Sequence, residues 1–133
     1  MHFYTTGQDE VRAEYNVPDH YQGYPRIVHG GIVASILDEA AGRSVMADGD
    51  ERFFVTVSME IKYRRPVPTS TPLHILGRMK SKRGRRAFVH GQIQSEDGIV
   101  LAEAEALLYV IPASMEQDGS REHFGWRVEE DVL

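Results

Sequence analysis

Nine positions after His29, in the run His29-Gly30-Gly31-Ile32-Val33-Ala34-Ser35-Ile36-Leu37-Asp38-Glu39-Ala40-Ala41-Gly42, a carboxylate interrupts an almost wholly apolar segment. The glycine pair opens what reads as a helix, and a helix's first turn carries backbone N–H groups with no partner inside the helix. Such a terminus favours negative charge. An aspartate on an apolar helix is costly to bury unless something bonds it or uses it. Together the two features suit half of an oxyanion hole at Gly30 and a general base or nucleophile at Asp38. Ala34, Ser35, Ala41 and Gly42, one turn before and after Asp38, are all small, so a ligand or another backbone can approach it closely. A structural aspartate bonded to nearby backbone fits the same pattern equally well.

If the helix starts near Gly30, Asp38 lies eight residues along it, about 12 Å at the helical rise. A base and an oxyanion donor must both come within roughly 3 Å of one carbonyl centre. The two ends of one helix do not meet that requirement. Asp38 is therefore expected to serve Gly30 of a second copy, in a two-fold homodimer with two composite sites. His29 could position a substrate carbonyl or order the turn. Glu39, four residues before Arg43, has the favoured orientation for a helix ion pair and reads as structural.

The elements that must position these residues follow from periodicity. Val11, Ala13, Tyr15 and Val17 alternate with polar residues as a short first strand. Pro18 and Gly23-Tyr24-Pro25 make a loop leading to the glycine pair. From Gly31 to about Met46, Val33, Ile36, Leu37, Ala40 and Ser44 share a helical face, and Ala47-Asp48-Gly49-Asp50 ends it. Phe53, Val55, Val57, Met59, Ile61 and Tyr63 then alternate with Phe54, Thr56, Ser58, Glu60, Lys62 and Arg64 as a long strand. On that reading Thr56 and Ser58 lie on the polar side, where hydroxyls could orient Asp38 or hold a water. Strands over Leu73 to Lys80, Arg86 to Gln94 and Val100 to Val110 follow, joined by turns at Gly84 and Asp97-Gly98. A single helix, apolar on most sides, needs a sheet that curls around it. The expectation is an α+β fold: one long central helix wrapped by a curved antiparallel sheet of about five strands, in a single domain 1-133. The core spans about 10-111, and 112-133 form a polar, acidic tail with room for a short helix.

Composition limits the alternatives. With 133 residues, no cysteine and a formal charge of −5, disulfides, thiolate metal sites and cysteine nucleophiles are excluded, and general nucleic-acid binding is disfavoured. No apolar run approaches a membrane span. The first twenty residues show no secretory leader, so a cytoplasmic location is expected. One local exception stands out: Arg78, Lys80, Lys82, Arg83, Arg85 and Arg86 place six cations in nine residues. A solvated, aggregation-resistant edge is one reading. Another is a landing site for phosphates of a small nucleotide-bearing molecule, with Arg83 and Arg85 as contacts.

At this point the sequence resembles the hotdog-fold acyl-CoA thioesterases of the PaaI-like group. The matching pieces are Tyr24-Pro25-Arg26-Ile27-Val28-His29-Gly30-Gly31, then Leu37-Asp38-Glu39-Ala40-Ala41-Gly42, then Val55-Thr56-Val57-Ser58-Met59-Glu60-Ile61-Lys62-Tyr63-Arg64-Arg65-Pro66. The resemblance implies a hotdog homodimer, often paired into a tetramer. It also implies hydrolysis of a fatty- or aryl-acyl-CoA to the free acid and CoA, with no cofactor and no metal. By position, Asp38 matches the base or nucleophile, the Gly30 amide the oxyanion donor, His29 the residue beside the thioester, and Thr56 the hydroxyl that positions water and carboxylate. Gly31 and Ser58 fall at substrate-binding positions. Two departures stand out: Gly23 occupies a position where some relatives have Asn, and Arg26 one where many have Gly. A hotdog hydratase or dehydratase would resemble those enzymes in carrying His five residues after the Asp, where this chain has Arg43. A non-catalytic acyl-CoA-binding protein on the same scaffold is the remaining alternative.

Overall fold

The computed structural model describes residues 1–112, so the short helix expected beyond them lies outside the described residues. One long helix, α1 (Gly30–Ser44), lies against six strands: β1 (Tyr4–Thr5), β2 (Glu10–Asn16), β3 (Phe54–Tyr63), β4 (Pro72–Arg83), β5 (Arg86–Ser95) and β6 (Val100–Val110). Every pairing is antiparallel, in the order β1-β2-β4-β5-β6-β3. The architecture is the one expected, with one strand more. The addition, β1, is two residues long and too short to leave a periodic signal.

The helix buries Val33, Ile36, Leu37, Ala40, Ala41 and Ser44, the face that its spacing defines with Ala41 added. It packs against strands β2 to β6, so the sheet wraps it. Contact is closest where two glycines face each other. Gly77 of β4 pairs with Gly91 of β5, between Val11 on one side and Ala104 on the other. A Cβ at Gly77 would sit 2.0 Å from the Ala40 carbonyl oxygen, and one at Gly91 would sit 3.0 Å from that of Leu37. These missing side chains let the helix backbone lie directly on the sheet, on either side of Asp38.

The turns are where their residues put them. Gly84 (φ 56°) joins β4 to β5, and Gly98 (φ 86°) joins β5 to β6. Both lie in the left-handed region that glycine adopts without penalty.

β3 departs from its sequence pattern. Its register against β6 slips between Thr56, opposite Leu108, and Ser58, opposite Leu107. Val57 is the extra residue of this bulge and is 57% exposed instead of inward. Before the bulge the even positions Phe54 and Thr56 face the helix; after it the odd positions Met59, Ile61 and Tyr63 do. Unbroken alternation over Phe53 to Tyr63 is therefore corrected: the bulge exchanges the two faces midway. As the last strand of the order, β3 is also an edge with no strand beyond it among the described residues.

Candidate active site

The loop that delivers His29 is pinned before the helix begins. Asp19 accepts hydrogen bonds from Thr69 Oγ1 (2.6 Å) and Ser70 Oγ (2.9 Å), and these bonds hold its carboxyl below the ordinary range. The Val28 N–H reaches the Val67 carbonyl (2.8 Å), and the His29 N–H reaches that of Tyr21 (2.9 Å). Arg26 sits at φ 65°, in the left-handed region that glycine adopts more readily than arginine. Its N–H donates to Gln22 Oε1 (3.0 Å) and its carbonyl accepts from the Thr69 N–H (3.0 Å).

His29 caps α1. Its Nδ1 accepts from the Gly31 N–H at 2.9 Å, and its carbonyl accepts from the N–H groups of Ile32 (2.9 Å) and Val33 (3.1 Å). Of the four N–H groups in the first turn, three are thus occupied. Only that of Gly30 has no partner among the described residues. The Gly31 amide, by contrast, is taken up by the cap. A Cβ at Gly31 would lie 3.1 Å from that ring nitrogen, so the tight cap accounts for the second glycine. Because Nδ1 is an acceptor, the neutral ring of His29 carries its proton on Nε2.

Asp38 is half-buried. The Thr56 hydroxyl donates to its Oδ1 at 2.6 Å, a short bond of the charge-assisted kind. This leaves Oδ2 as the oxygen free for chemistry. Ser58 is exposed and, taking Leu107 as partner, lies on the opposite face from Thr56; within one chain it is not brought to Asp38. Glu39 pairs with Arg43 at 2.7 Å, as its spacing requires.

The structure adds one residue for which the sequence reading gave no role. Tyr63, on the inner face of β3, donates from its hydroxyl to the Gly30 carbonyl at 2.9 Å. Regular alternation would put Thr56 and Tyr63, seven residues apart, on opposite faces; the bulge at Val57 puts both on the helix side. One edge strand therefore holds both ends of the helix segment, Asp38 through Thr56 and Gly30 through Tyr63.

The basic hairpin divides into two sets. Lys82 is consumed internally, reaching the Val45 carbonyl (3.2 Å), Asp48 (2.9 Å) and Asp50 (2.9 Å). Arg52 pairs with Asp50 at 2.9 Å and donates to the Gly84 carbonyl at 2.9 Å, bracing the hairpin tip. The Arg52 and Lys82 bonds outweigh burial and drive the Asp50 carboxyl far below its ordinary range. Lys80 pairs with Glu105 at 3.0 Å, and Arg86 stacks over Tyr109. Arg83 and Arg85, flanking Gly84, are exposed and have no ion-pair partner among the described residues. Among those residues no His/Asp/Glu cluster is arranged to hold a metal, and no helix is long and apolar enough to cross a membrane.

The thioesterase superfamily model matches residues 26–102, which run from the loop before the cap through α1, β3, β4 and β5 to the start of β6. The chain belongs to the thioesterase superfamily. It is 29% identical over 108 residues to the acyl-coenzyme A thioesterase THEM4 of Rattus norvegicus, covering 81% of this chain and 46% of that protein. Identity to the Mus musculus THEM4 is 35% over 89 residues, covering 66% of this chain and 37% of that protein. The chain thus spans less than half the length of these relatives. Among solved structures, a thioesterase superfamily protein is similar at TM-score 0.69 and 33% identity, over 77% of this chain and 49% of that one. The Escherichia coli PaaI protein shares the superfamily fold at TM-score 0.75 and 14% identity, over 84% of this chain and 79% of that one. A Streptococcus mutans protein crystallised with acetyl CoA does so at TM-score 0.74 and 20% identity, over 82% and 86%.

Proposed function

We propose that this chain hydrolyses the thioester of a fatty- or aryl-acyl-CoA, working as a homodimer with two composite sites. The observation that carries this reading is the arrangement along β3. The strand is an edge with no strand beyond it among the described residues, with Asp38 held at its Thr56 end and the unpartnered Gly30 amide held at its Tyr63 end. Two copies that pair antiparallel along this edge bring the Thr56 end of one beside the Tyr63 end of the other. Asp38 of each copy then faces Gly30 of its partner, which no single helix achieves.

In such a site the Gly30 N–H, reinforced by the helix dipole, receives the thioester carbonyl oxygen as charge develops on it. Asp38 Oδ2 takes a proton from water while the water oxygen attacks the carbonyl carbon, and Thr56 fixes the carboxylate through Oδ1. Collapse of the tetrahedral intermediate breaks the carbon–sulfur bond, and the proton passes to the departing CoA thiolate. Direct attack of Asp38 on the carbonyl, giving a mixed anhydride that water then hydrolyses, is the alternative route at the same carboxylate. His29, presenting Nε2–H, is a second donor beside the carbonyl. Arg83 and Arg85, the unengaged cations of the hairpin, suit the CoA phosphates.

The test exploits the shared site. Asp38→Asn removes the base; Gly30→Pro removes the oxyanion N–H at a first helical position that tolerates proline. His29, at φ −57° and ψ 138°, already has the backbone that a residue before proline requires. Each variant alone should release almost no thiol from acyl-CoAs. Refolded together in equal amounts, half the dimers are mixed and each mixed dimer holds one intact site, restoring about a quarter of wild-type activity. No restoration in verified mixed dimers would overturn the composite site, and full activity of Asp38→Asn would overturn the chemistry.

A further inference from the structure

We infer that Tyr63 is a positioning residue for the thioester-binding turn, an inference that rests on the roles given above to Gly30 and His29. Two consecutive glycines have more backbone freedom than any other pair, so a turn built on them must be fixed from outside. Three side-chain bonds do this. The His29 ring takes the Gly31 N–H at 2.9 Å, Ser35 Oγ donates to the Gly31 carbonyl at 2.9 Å, and the Tyr63 hydroxyl donates to the Gly30 carbonyl at 2.9 Å. His29 and Ser35 belong to the helix and its cap and move with it. Tyr63 lies 33 residues away on β3, so its bond fixes the turn relative to the sheet that also carries Thr56.

The same hydroxyl begins a series. Tyr63 O–H donates to the carbonyl of the Gly30–Gly31 peptide, and the N–H of that peptide donates to His29 Nδ1. Bonds in series polarise one another, so the phenol strengthens the cap that keeps the His29 proton on Nε2. One group thus sets both the direction of the free Gly30 amide and the tautomer of the neighbouring imidazole. Tyr63 is 55% exposed, and little apolar burial depends on its hydroxyl.

Tyr63→Phe keeps the ring and removes the donor. Acyl-CoA hydrolysis should lose roughly 5- to 10-fold in kcat, the worth of one hydrogen bond to the turn, with KM unchanged within about twofold. Melting temperature should fall by no more than about 5 °C, and dimer fraction should stay at the wild-type value. Unchanged kcat, or a loss confined to KM, overturns the inference. Without substrate, NMR should show the Gly31 amide proton moving upfield and the His29 ring nitrogens shifting toward mixed tautomers in Tyr63→Phe. 3-Fluorotyrosine at position 63, a stronger donor, should move the Gly31 amide the opposite way, and it serves equally if the Phe variant folds poorly. Unmoved Gly31 and His29 signals overturn the inference whatever the activity. A wild-type protein inactive on every acyl-CoA would instead sink the thioesterase reading and leave the NMR to judge Tyr63.

Discussion

Alanine at Gly77 and at Gly91 should have very different effects, although both are interior strand glycines facing one helix. A carbon and an oxygen rest at roughly 3.3 Å. The added Cβ would lie 2.0 Å from the Ala40 oxygen at Gly77 and 3.0 Å from the Leu37 oxygen at Gly91. The helix must therefore retreat by over an ångström in the first case and by a few tenths in the second. Overpacking on the larger scale costs about 3 kcal/mol, offset by about 0.5–1 kcal/mol for replacing a strand glycine. Gly77→Ala should lose a net of about 2–2.5 kcal/mol, or roughly 7–9 °C in melting temperature for a domain of this size, and Gly91→Ala at most about 1 kcal/mol. The retreat also carries Asp38 away from Thr56, and an ångström of misplacement costs on the order of 100-fold in rate. Urea unfolding and thiol release, the latter measured well below both melting points, check the two effects separately. A Gly77→Ala protein within about 2 °C of wild type, or a Gly91→Ala protein worse than Gly77→Ala, would refute the close-approach reasoning.

Two further outcomes follow from the hairpin. Asp50 is held far below its ordinary value of 3.8 by Arg52 and Lys82, so its contribution to stability is complete above that value and drains away as pH falls below it. Asp50→Asn should lower stability at pH 7 and flatten the acid limb below about pH 4; parallel limbs in pH-dependent urea titrations would contradict the pairing. Charge reversal of Arg83 and Arg85 together should raise KM for CoA esters well above its effect on small thioesters lacking the nucleotide. Equal effects on both substrates would return these cations to a solvent-facing role.

The fold was legible where local chemistry and periodicity agree. The glycine pair, the buried stripe from Val33 to Ser44, and the turns at Gly84 and Gly98 all stand where their residues direct. What escaped depends on partners distant in sequence. The alternation over Phe53 to Tyr63 runs unbroken through Val57, because a bulge is decided by the register of β6 and leaves no mark in β3's own composition. Thr56 reads as able to orient Asp38, but regular alternation puts Tyr63, seven residues on, on the other face, where it has no role. Lys82 reads as one of six similar cations, yet its acidic partners Asp48 and Asp50 lie over thirty residues away, at the end of the helix segment. Arg26 is legible only afterwards, since a positive φ is a property of the loop and not of arginine.

The unequal borders of the sheet set how far association can go. Among the described residues, one side ends in β3, ten residues long with no strand beyond it; the other is stepped, with the two-residue β1 covering only part of the seven-residue β2. Head-to-tail joining of unlike borders would propagate without limit into a fibre, but a stepped border of two short strands gives the long one little continuous backbone to grip. The long border finds a match of its own length only in itself, and a strand that pairs antiparallel with its copy leaves no further border open. In the homodimer proposed above, the short β1 would thereby act as a stop, ending association along the long edge at two copies.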